Sequence, residues 1–369
     1  MDFAARLTRI GERLEREGLD ALLVTNMTNV RYLSGFTGTN GYVLVGRERA
    51  RFFTDGRYRL QASEQVKDAE VQVCSNQQEV ARTLSDLARD WGLSRVGFEG
   101  ADVTLISRRA GWEPPLGMDR LKSYFGSAEL VPTARWVEEL RAVKDRDEVR
   151  LIQEAAEITD AAFDHILQRV KPGVSERALA LEIEFYMRRS GADDVSFDPI
   201  VAAAERSALP HAQPTDRPVE TGRYLLFDFG CIVGGYCSDM TRTTVVGASD
   251  QRHIEVYELV QKSQAAGLGA AAPGVGCGEV DQAARQVIDS AGHAELFPHG
   301  LGHGVGLEIH EDPVLRRGIP DTLGPGHVVT VEPGVYFEGW GGVRIEDLVV
   351  VTENGVQPLS RAPKDLIVT

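Results

Sequence analysis

Arg223-Tyr-Leu-Leu-Phe-Asp228-Phe-Gly-Cys-Ile-Val-Gly234-Gly235-Tyr-Cys-Ser-Asp239-Met-Thr-Arg-Thr-Thr-Val-Val246 is where the chain changes character. Two long helical patterns precede it, and apolar runs of strand length follow. Arg223 to Gly230 and Tyr236 to Val246 read as strands joined through Val233-Gly234-Gly235, since glycine supplies the positive φ that hairpin turns need. Each strand carries a carboxylate, Asp228 or Asp239. A loop centred between Val233 and Gly234 sets the two directly opposite, and one centred on the glycine pair leaves them diagonal. Either way they share one face, within about 5–8 Å. Leu225, Leu226, Phe227 and Phe229 make this strand too apolar to be solvated. Two bare carboxylates in such a setting repel until one protonates, unless a cation removes the conflict.

Further acids and imidazoles follow. His299-Gly-Leu-Gly-His303-Gly-Val-Gly-Leu-Glu-Ile-His310-Glu311 holds three histidines within twelve residues of glycine-rich, otherwise largely apolar chain. Glycines let a backbone approach a site closely. One imidazole suits metal ligation, and the others suit hydrogen bonding to a substrate. Glu332 ends the strand Val328-Val-Thr-Val331, with Pro333-Gly334 turning the chain straight after it. Arg344 and Glu346 alternate on one face of the next strand, opposite Val343 and Ile345. Asp228, Asp239, Glu332 and Glu346 carry about four negative charges, matching two divalent cations. The set Asp228, Asp239, His303, Glu332 and Glu346 therefore reads as a two-metal hydrolytic site in which some carboxylates bridge. Mostly oxygen with one nitrogen favours Mn²⁺, with Co²⁺ or Zn²⁺ able to substitute. A water held between two cations deprotonates near neutral pH and becomes a nucleophile.

Outward from the site, the chain opens with a helical pattern at Phe3, Leu7, Ile10 and Leu14, ended by Gly18. Ala21–Val24, Tyr42–Val45 and Arg51–Thr54 read as strands. This alternation through residue 131 predicts an α/β domain of three layers. Residues 132–145 are expected as a linker and 146–369 as a second domain. There a helical pattern from Ile152 to Val170 stops at Pro172-Gly173, and another capped by Ser175 ends at Gly191. Helices from about Asp250 and Gly278 and strands over His327–Phe337 and Gly342–Val351 repeat the helix–helix–strand–strand order. Runs of helices followed by runs of strands indicate α+β.

A length of 369 residues fits two domains, and the formal charge of −15 argues against nucleic acid or an anionic membrane as partner. Cys74, Cys231, Cys237 and Cys277 form no Cys-x-x-Cys pair, so a zinc–thiolate site is disfavoured. The spacing of Cys231 and Cys237 suits a bridge across the hairpin, but reduced thiols are expected in a cytoplasmic protein. No secretory signal pattern and no apolar run of membrane-spanning length is seen.

Together these segments resemble the Xaa-Pro peptidases of the pita-bread metallopeptidases, the group containing aminopeptidase P and prolidase. The resemblance covers nearly the whole chain and implies a creatinase-like N-terminal domain capping a pita-bread catalytic domain, proline-containing peptides as substrate, and a homodimer. It implies that Asp228 chelates one metal, that Asp239 and Glu346 bridge, and that His303 binds the other. It makes Glu332 both ligand and general acid/base, His211 and His310 substrate contacts, His299 a pocket histidine, and Arg344 a neighbour of the ligands. The chain departs from the family where Ala202-Ala-Ala-Glu205 replaces glycine-containing sequence and where His211 is followed by Ala-Gln. Tyr32 to Tyr42 and Phe53 to Tyr58 look more like aminopeptidase P than prolidase. Removal of an N-terminal residue before proline is therefore the leading expectation and Xaa-Pro dipeptide cleavage the alternative. Methionine aminopeptidase, a metal-free creatinase and a non-catalytic binding module are less consistent with the upstream domain or with a full ligand set.

Overall fold

The computed structural model describes residues 1–100 and 118–369; the part of the expected N-terminal alternation that falls on 101–117 lies outside them. The chain divides into two compact units, Met1–Arg141 and Ala142–Thr369.

In the first unit, strands β1 (Ala21–Val24), β2 (Tyr42–Gly46), β3 (Ala50–Asp55), β4 (Glu70–Cys74), β5 (Arg95–Glu99) and β6 (Glu129–Thr133) form one sheet in the order β4-β3-β2-β1-β5-β6. Helices α1 (Phe3–Glu17), α2 (Met27–Ser34), α3 (Arg59–Gln65), α4 (Gln77–Asp90), α5 (Met118–Phe125) and α6 (Trp136–Ala142) accompany it. β1 is central and wholly buried, which explains its unbroken apolar run. Ala21 and Leu23 pack with Leu84 and Leu87 of α4 and with Leu121 and Phe125 of α5. On the other side α1 and α2 lie against β1 and β2, giving the expected three layers. α1 buries Ile10 and Leu14 and closes at Gly18, whose φ of 65° lets its N–H reach back to the last turn. The stretch 132–145, expected as a linker, instead holds the end of β6 and all of α6. Its proline sits at the edge of the sheet, where a missing N–H costs least.

The second unit repeats one motif. Helices α7 (Arg146–Leu167) and α8 (Glu176–Arg189) precede β7 (Asp194–Val195), β8 (Ile200–Ala203), β9 (Tyr224–Phe229), β10 (Cys231–Val233), β11 (Tyr236–Cys237) and β12 (Met240–Val245). Helices α9 (Gln251–Ala270) and α10 (Cys277–Ser290) precede β13 (Gly302–Gly304), β14 (Glu311–Leu315), β15 (Val328–Val331), β16 (Gly334–Phe337), β17 (Gly341–Arg344), β18 (Asp347–Thr352) and β19 (Gly355–Pro358), with β20 (Ile367–Val368) last. The larger sheets run β20-β12-β9-β8 and β14-β13-β15-β18-β19. Each helix pair covers its own core. Phe163, Ile183 and Phe227 belong to the first, and Val260, Ala284 and Val329 to the second. Phe163 meets Phe227 edge to face at 6.1 Å, and burying a side chain of this size stabilises by roughly 1.5–3 kcal/mol.

Gly234 and Gly235, at φ 57° and 89°, form the two-residue turn between β10 and β11, so the loop is centred on the glycine pair. Asp228 pairs with Thr241 in the ladder, which leaves it diagonal to Asp239. The expected long strand from Tyr236 is broken at Ser238-Asp239. A Cβ on Gly230 would lie 1.9 Å from the Ser238 carbonyl oxygen, so the two strands approach there as only glycine permits.

Ala204, within the segment that departs from the family, adopts φ 54° and is fully buried. An L side chain is strained there. Ala204→Gly should leave stability within about 1 kcal/mol, relief of strain offsetting added chain entropy, whereas Ala204→Val should cost at least about 2 kcal/mol. Urea unfolding of the two variants checks this, and equal midpoints would contradict it.

Candidate metal centre

The site is built where strands stop. Asp228 lies one residue from the end of β9 and Asp239 immediately precedes β12. His303 is the middle residue of β13, Glu332 directly follows β15, and Glu346 lies between β17 and β18. Over 327–337 the strand stops before Glu332, as the Pro333-Gly334 turn predicts, and the strand expected over 342–351 is interrupted at Glu346. The interruptions stitch the sheets together. Glu332 N–H donates to the Leu301 carbonyl at 2.8 Å, and Glu346 N–H donates to the Thr241 carbonyl at 3.1 Å. The glycines around His303 serve closeness: a Cβ on Gly302 would sit 2.0 Å from the Thr330 carbonyl oxygen, and one on Gly304 would sit 2.3 Å from that of Asp312.

Donor atoms of Asp239, His303 and Glu346 all lie within 4.8 Å of one another. His303 Nε2 is 3.5 Å from both Asp239 Oδ2 and Glu332 Oε1. Its Nδ1 is 3.0 Å from the Gly304 carbonyl oxygen, which only accepts, so Nδ1 carries the proton and Nε2 turns a lone pair toward two carboxylates. Arg344 Nη2 donates to Asp228 Oδ2 at 2.5 Å, and Arg344 Nε donates to Thr241 Oγ1 at 3.0 Å. Thr241 in turn donates to Glu346 Oε2 at 2.7 Å.

The electrostatics are those of crowded acid. Burial, then the charges of Glu346, Asp228 and Glu332, pushes the Asp239 carboxyl well above its usual range. Burial and Glu346 do the same to Glu332. Burial and Asp228 raise Glu346 to about 8. His303 is lowered to about 3, chiefly by burial and then by His310. Burial works against the Arg344 charge, yet Tyr336, Asp228, Glu332 and Glu346 hold it well above the usual arginine range. Asp228 Oδ1 and Glu346 Oε1 are buried without a hydrogen-bond partner. Unpartnered carboxylate oxygens, a lone pair aimed at acids and raised carboxyls are what residues awaiting divalent cations present. The donor set fits such ions.

The histidines expected to contact substrate or line its pocket are placed less uniformly. The exposed His310 packs its ring on His303, centroids 4.3 Å apart. His299 Nδ1 donates to the Gly300 carbonyl, so its Nε2 accepts from the Tyr336 hydroxyl at 3.0 Å. Tyr336 itself accepts from Arg344 Nη1 at 2.8 Å. Burial, then Arg344, lowers His299 to about 4 and keeps it neutral. His211 is exposed on the turn after residues 204–208 and is joined to the cluster only indirectly, Arg344 Nη1 lying 3.4 Å from the neighbouring Pro210 carbonyl. Sequence reasoning missed Thr241 and Tyr336. Thr241 had a signal, since it follows Asp239 by two in an alternating strand. Tyr336 had none, because its hydroxyl reaches the site only through the β16–β17 pairing of Gly334 with Arg344.

Residues 150–353 match metallopeptidase family M24, and residues 6–143 match the Creatinase/Prolidase N-terminal domain. The chain belongs to metallopeptidase family M24, with the creatinase-type N-terminal domain and pita-bread catalytic domain of its relatives. It is 42% identical to an uncharacterized peptidase of Bacillus subtilis (strain 168) over 98% of this chain and 99% of the relative. An Xaa-Pro dipeptidase structure from Bacillus anthracis superposes with a TM-score of 0.91 at 40% identity, covering 100% of both chains. An X-Pro aminopeptidase structure from Thermotoga maritima gives a TM-score of 0.86 at 35% identity, covering 97% of this chain and 100% of that one. The protein is thus a metal-dependent hydrolase of peptide bonds. Among the described residues no helix is long and apolar enough to cross a membrane, and all four cysteines are free and buried.

The raised carboxyls predict how the metal-free protein responds to pH. In the folded state Glu346 titrates near 8, against an ordinary glutamate value of 4.5, so the folded chain holds more protons than the unfolded one between those values. The stability this contributes is complete below the unfolded value and is lost as pH rises through about 8. Below about pH 6.5 the lowered His299 and His303 act in the opposite sense, so chelator-treated protein should melt at progressively lower temperature from about pH 6.5 to 8.5, and added Mn²⁺ should reverse the trend. A melting temperature that climbs over this range without metal would contradict the assignment.

Proposed function

We propose that this chain hydrolyses the bond between an N-terminal residue and a following proline, using two divalent cations held by Asp228, Asp239, His303, Glu332 and Glu346. The observation that carries the reading is the convergence of the His303 Nε2 lone pair with Asp239 and Glu332, beside unpartnered oxygens of Asp228 and Glu346. The oxygen-rich set suits Mn²⁺, with Co²⁺ or Zn²⁺ as substitutes. When bound, the cations supply Lewis-acid polarisation of the scissile carbonyl and acidify a water.

The side chains do the rest. Glu332 takes the proton of the attacking water on its carboxylate and delivers it to the departing proline nitrogen, which carries no proton of its own in the tertiary amide. His310, exposed against His303, and His211 donate hydrogen bonds to the substrate carbonyl as charge develops on it. Arg344 holds Asp228 directly and Glu346 through Thr241, and through Tyr336 it fixes His299 as a neutral acceptor.

Xaa-Pro dipeptides are the proposed preferred substrates, in line with the name of the 40% identical Bacillus anthracis structure. Action on longer peptides, favoured by the N-terminal motifs, is the second reading, in line with the Thermotoga maritima aminopeptidase. Turnover of Xaa-Pro, Xaa-Pro-Xaa and longer peptides decides between them: exclusive turnover of longer peptides would reverse the order. Asp239→Ala and Glu346→Ala should lower kcat by about 10³-fold or more together with metal content, and Glu332→Gln by about 10²–10⁴-fold. Activity surviving in the first two variants would falsify the ligand set.

A further inference from the structure

Behind the glycine-rich segment, on the side of α10, lies an ion pair that the proposed chemistry does not use. Asp281 is fully buried and Arg285 is 7% exposed. They meet in a fork: Arg285 Nε donates to Asp281 Oδ2 and Arg285 Nη2 to Asp281 Oδ1, both at 3.0 Å. Arg317 Nε also stands 3.8 Å from Asp281 Oδ2, and the pair's further hydrogen bonds go to one stretch of backbone. Arg285 Nη1 donates to the Phe297 carbonyl at 2.6 Å and Nη2 to the His299 carbonyl at 2.7 Å. Asp281 Oδ1 accepts the Leu301 N–H at 3.0 Å, a donor shared with the Leu315 carbonyl at 2.8 Å. The guanidinium also lies 4.0 Å from the centroid of the Phe297 ring.

Phe297, His299 and Leu301 are alternate residues of the irregular run that leads into β13, so the pair holds that backbone at three successive steps. This segment needs such a grip. Gly300, Gly302, Gly304 and Gly306 give its backbone more freedom than any other residue type would. Two residues beyond the last grip is His303, and the Leu301 carbonyl receives the Glu332 N–H at 2.8 Å. One backbone stretch therefore sets His299, His303 and Glu332 together.

We infer that Asp281 and Arg285 are positioning residues for the metal centre: the fork on α10 sets the backbone of 297–301 and so aims His303 Nε2 and Glu332. The inference rests on the ligand set proposed above. A guanidinium is required rather than a positive charge alone, because the role uses directional N–H groups toward Asp281, Phe297 and His299 at once.

The test is Arg285→Lys, which keeps the charge beside Asp281 and loses the fork. The metal-stripped protein is titrated with Co²⁺ and read by calorimetry and by the visible spectrum of the bound ion, alongside kcat and KM on an Xaa-Pro dipeptide. Arg285→Lys should bind Co²⁺ at least about tenfold more weakly, shift its absorption bands, and lose kcat by about tenfold or more with a smaller change in KM. A folded Arg285→Lys with wild-type affinity, bands and kcat overturns the inference. If that variant fails to fold, Asp281→Asn combined with Arg285→Gln removes both buried charges and takes its place under the same criteria. Asp239→Ala serves as control. Wild-type Co²⁺ binding by Asp239→Ala would mean that the ligand set itself is wrong. Lost binding there beside an unaltered Arg285→Lys would sink the positioning role alone.

Discussion

Like charges held out of water govern this molecule. Asp228, Asp239, Glu332 and Glu346 converge with Arg344 as a cation in contact, and burial first, then their mutual repulsion, raises the carboxyls of three of them. At such separations the repulsion between ionised acids exceeds what a single hydrogen bond returns, so the folded chain either keeps protons or takes up cations. Much around the site follows from holding the acids together regardless. Arg344 forks between an aspartate, a threonine and a tyrosine, Thr241 relays to Glu346, and the backbone of Glu346 is tied to Arg242 and Thr241 from behind.

The two halves of the catalytic unit supply the stiffness this needs. Each lays a helix pair over a sheet, and each sheet ends in acids at the seam between them. Arg242 is 1% exposed and donates to Asp347 at 2.7 Å, while Lys364 donates to the same carboxylate at 2.6 Å. Asp347 therefore faces away from the metal site with its charge satisfied, and Glu346 faces toward it with one oxygen unpartnered. Adjacent acids with opposite fates are what strand-like alternation at the end of β17 delivers.

Sequence carried the architecture well where burial wrote a clear period. The run Ala21–Val24, the Gly18 stop, the Ser175 cap and the glycine turn at 234–235 all correspond to real elements, because each depends on local sterics or on one buried face. It failed where structure is imposed from a distance. Apolar β-formers on both sides of Glu346 read as one continuous strand, yet the chain changes sheet there, whereas the stop at Glu332 was written in Pro333-Gly334. β13 was invisible because Gly302-His303-Gly304 has no strand propensity of its own and is extended only by its neighbours β14 and β15. The acids themselves were legible, being polar residues at the ends of apolar runs, and the structure brings them together. Tyr336, Asp281 and Arg285 were not, since each acts through partners that only the tertiary fold supplies.

The four sulfhydryls have a use outside the chemistry of the site. Cys74 sits in the first unit, Cys231 and Cys237 flank the hairpin of one half, and Cys277 begins α10 in the other. Burial lifts the Cys237 thiol to about 12 and that of Cys277 to about 11, so the nucleophilic thiolate is scarce while the native packing lasts. The molecule thus carries its own set of reporters: the rate at which an alkylating reagent captures each sulfur times the opening of its neighbourhood, region by region, with no label introduced.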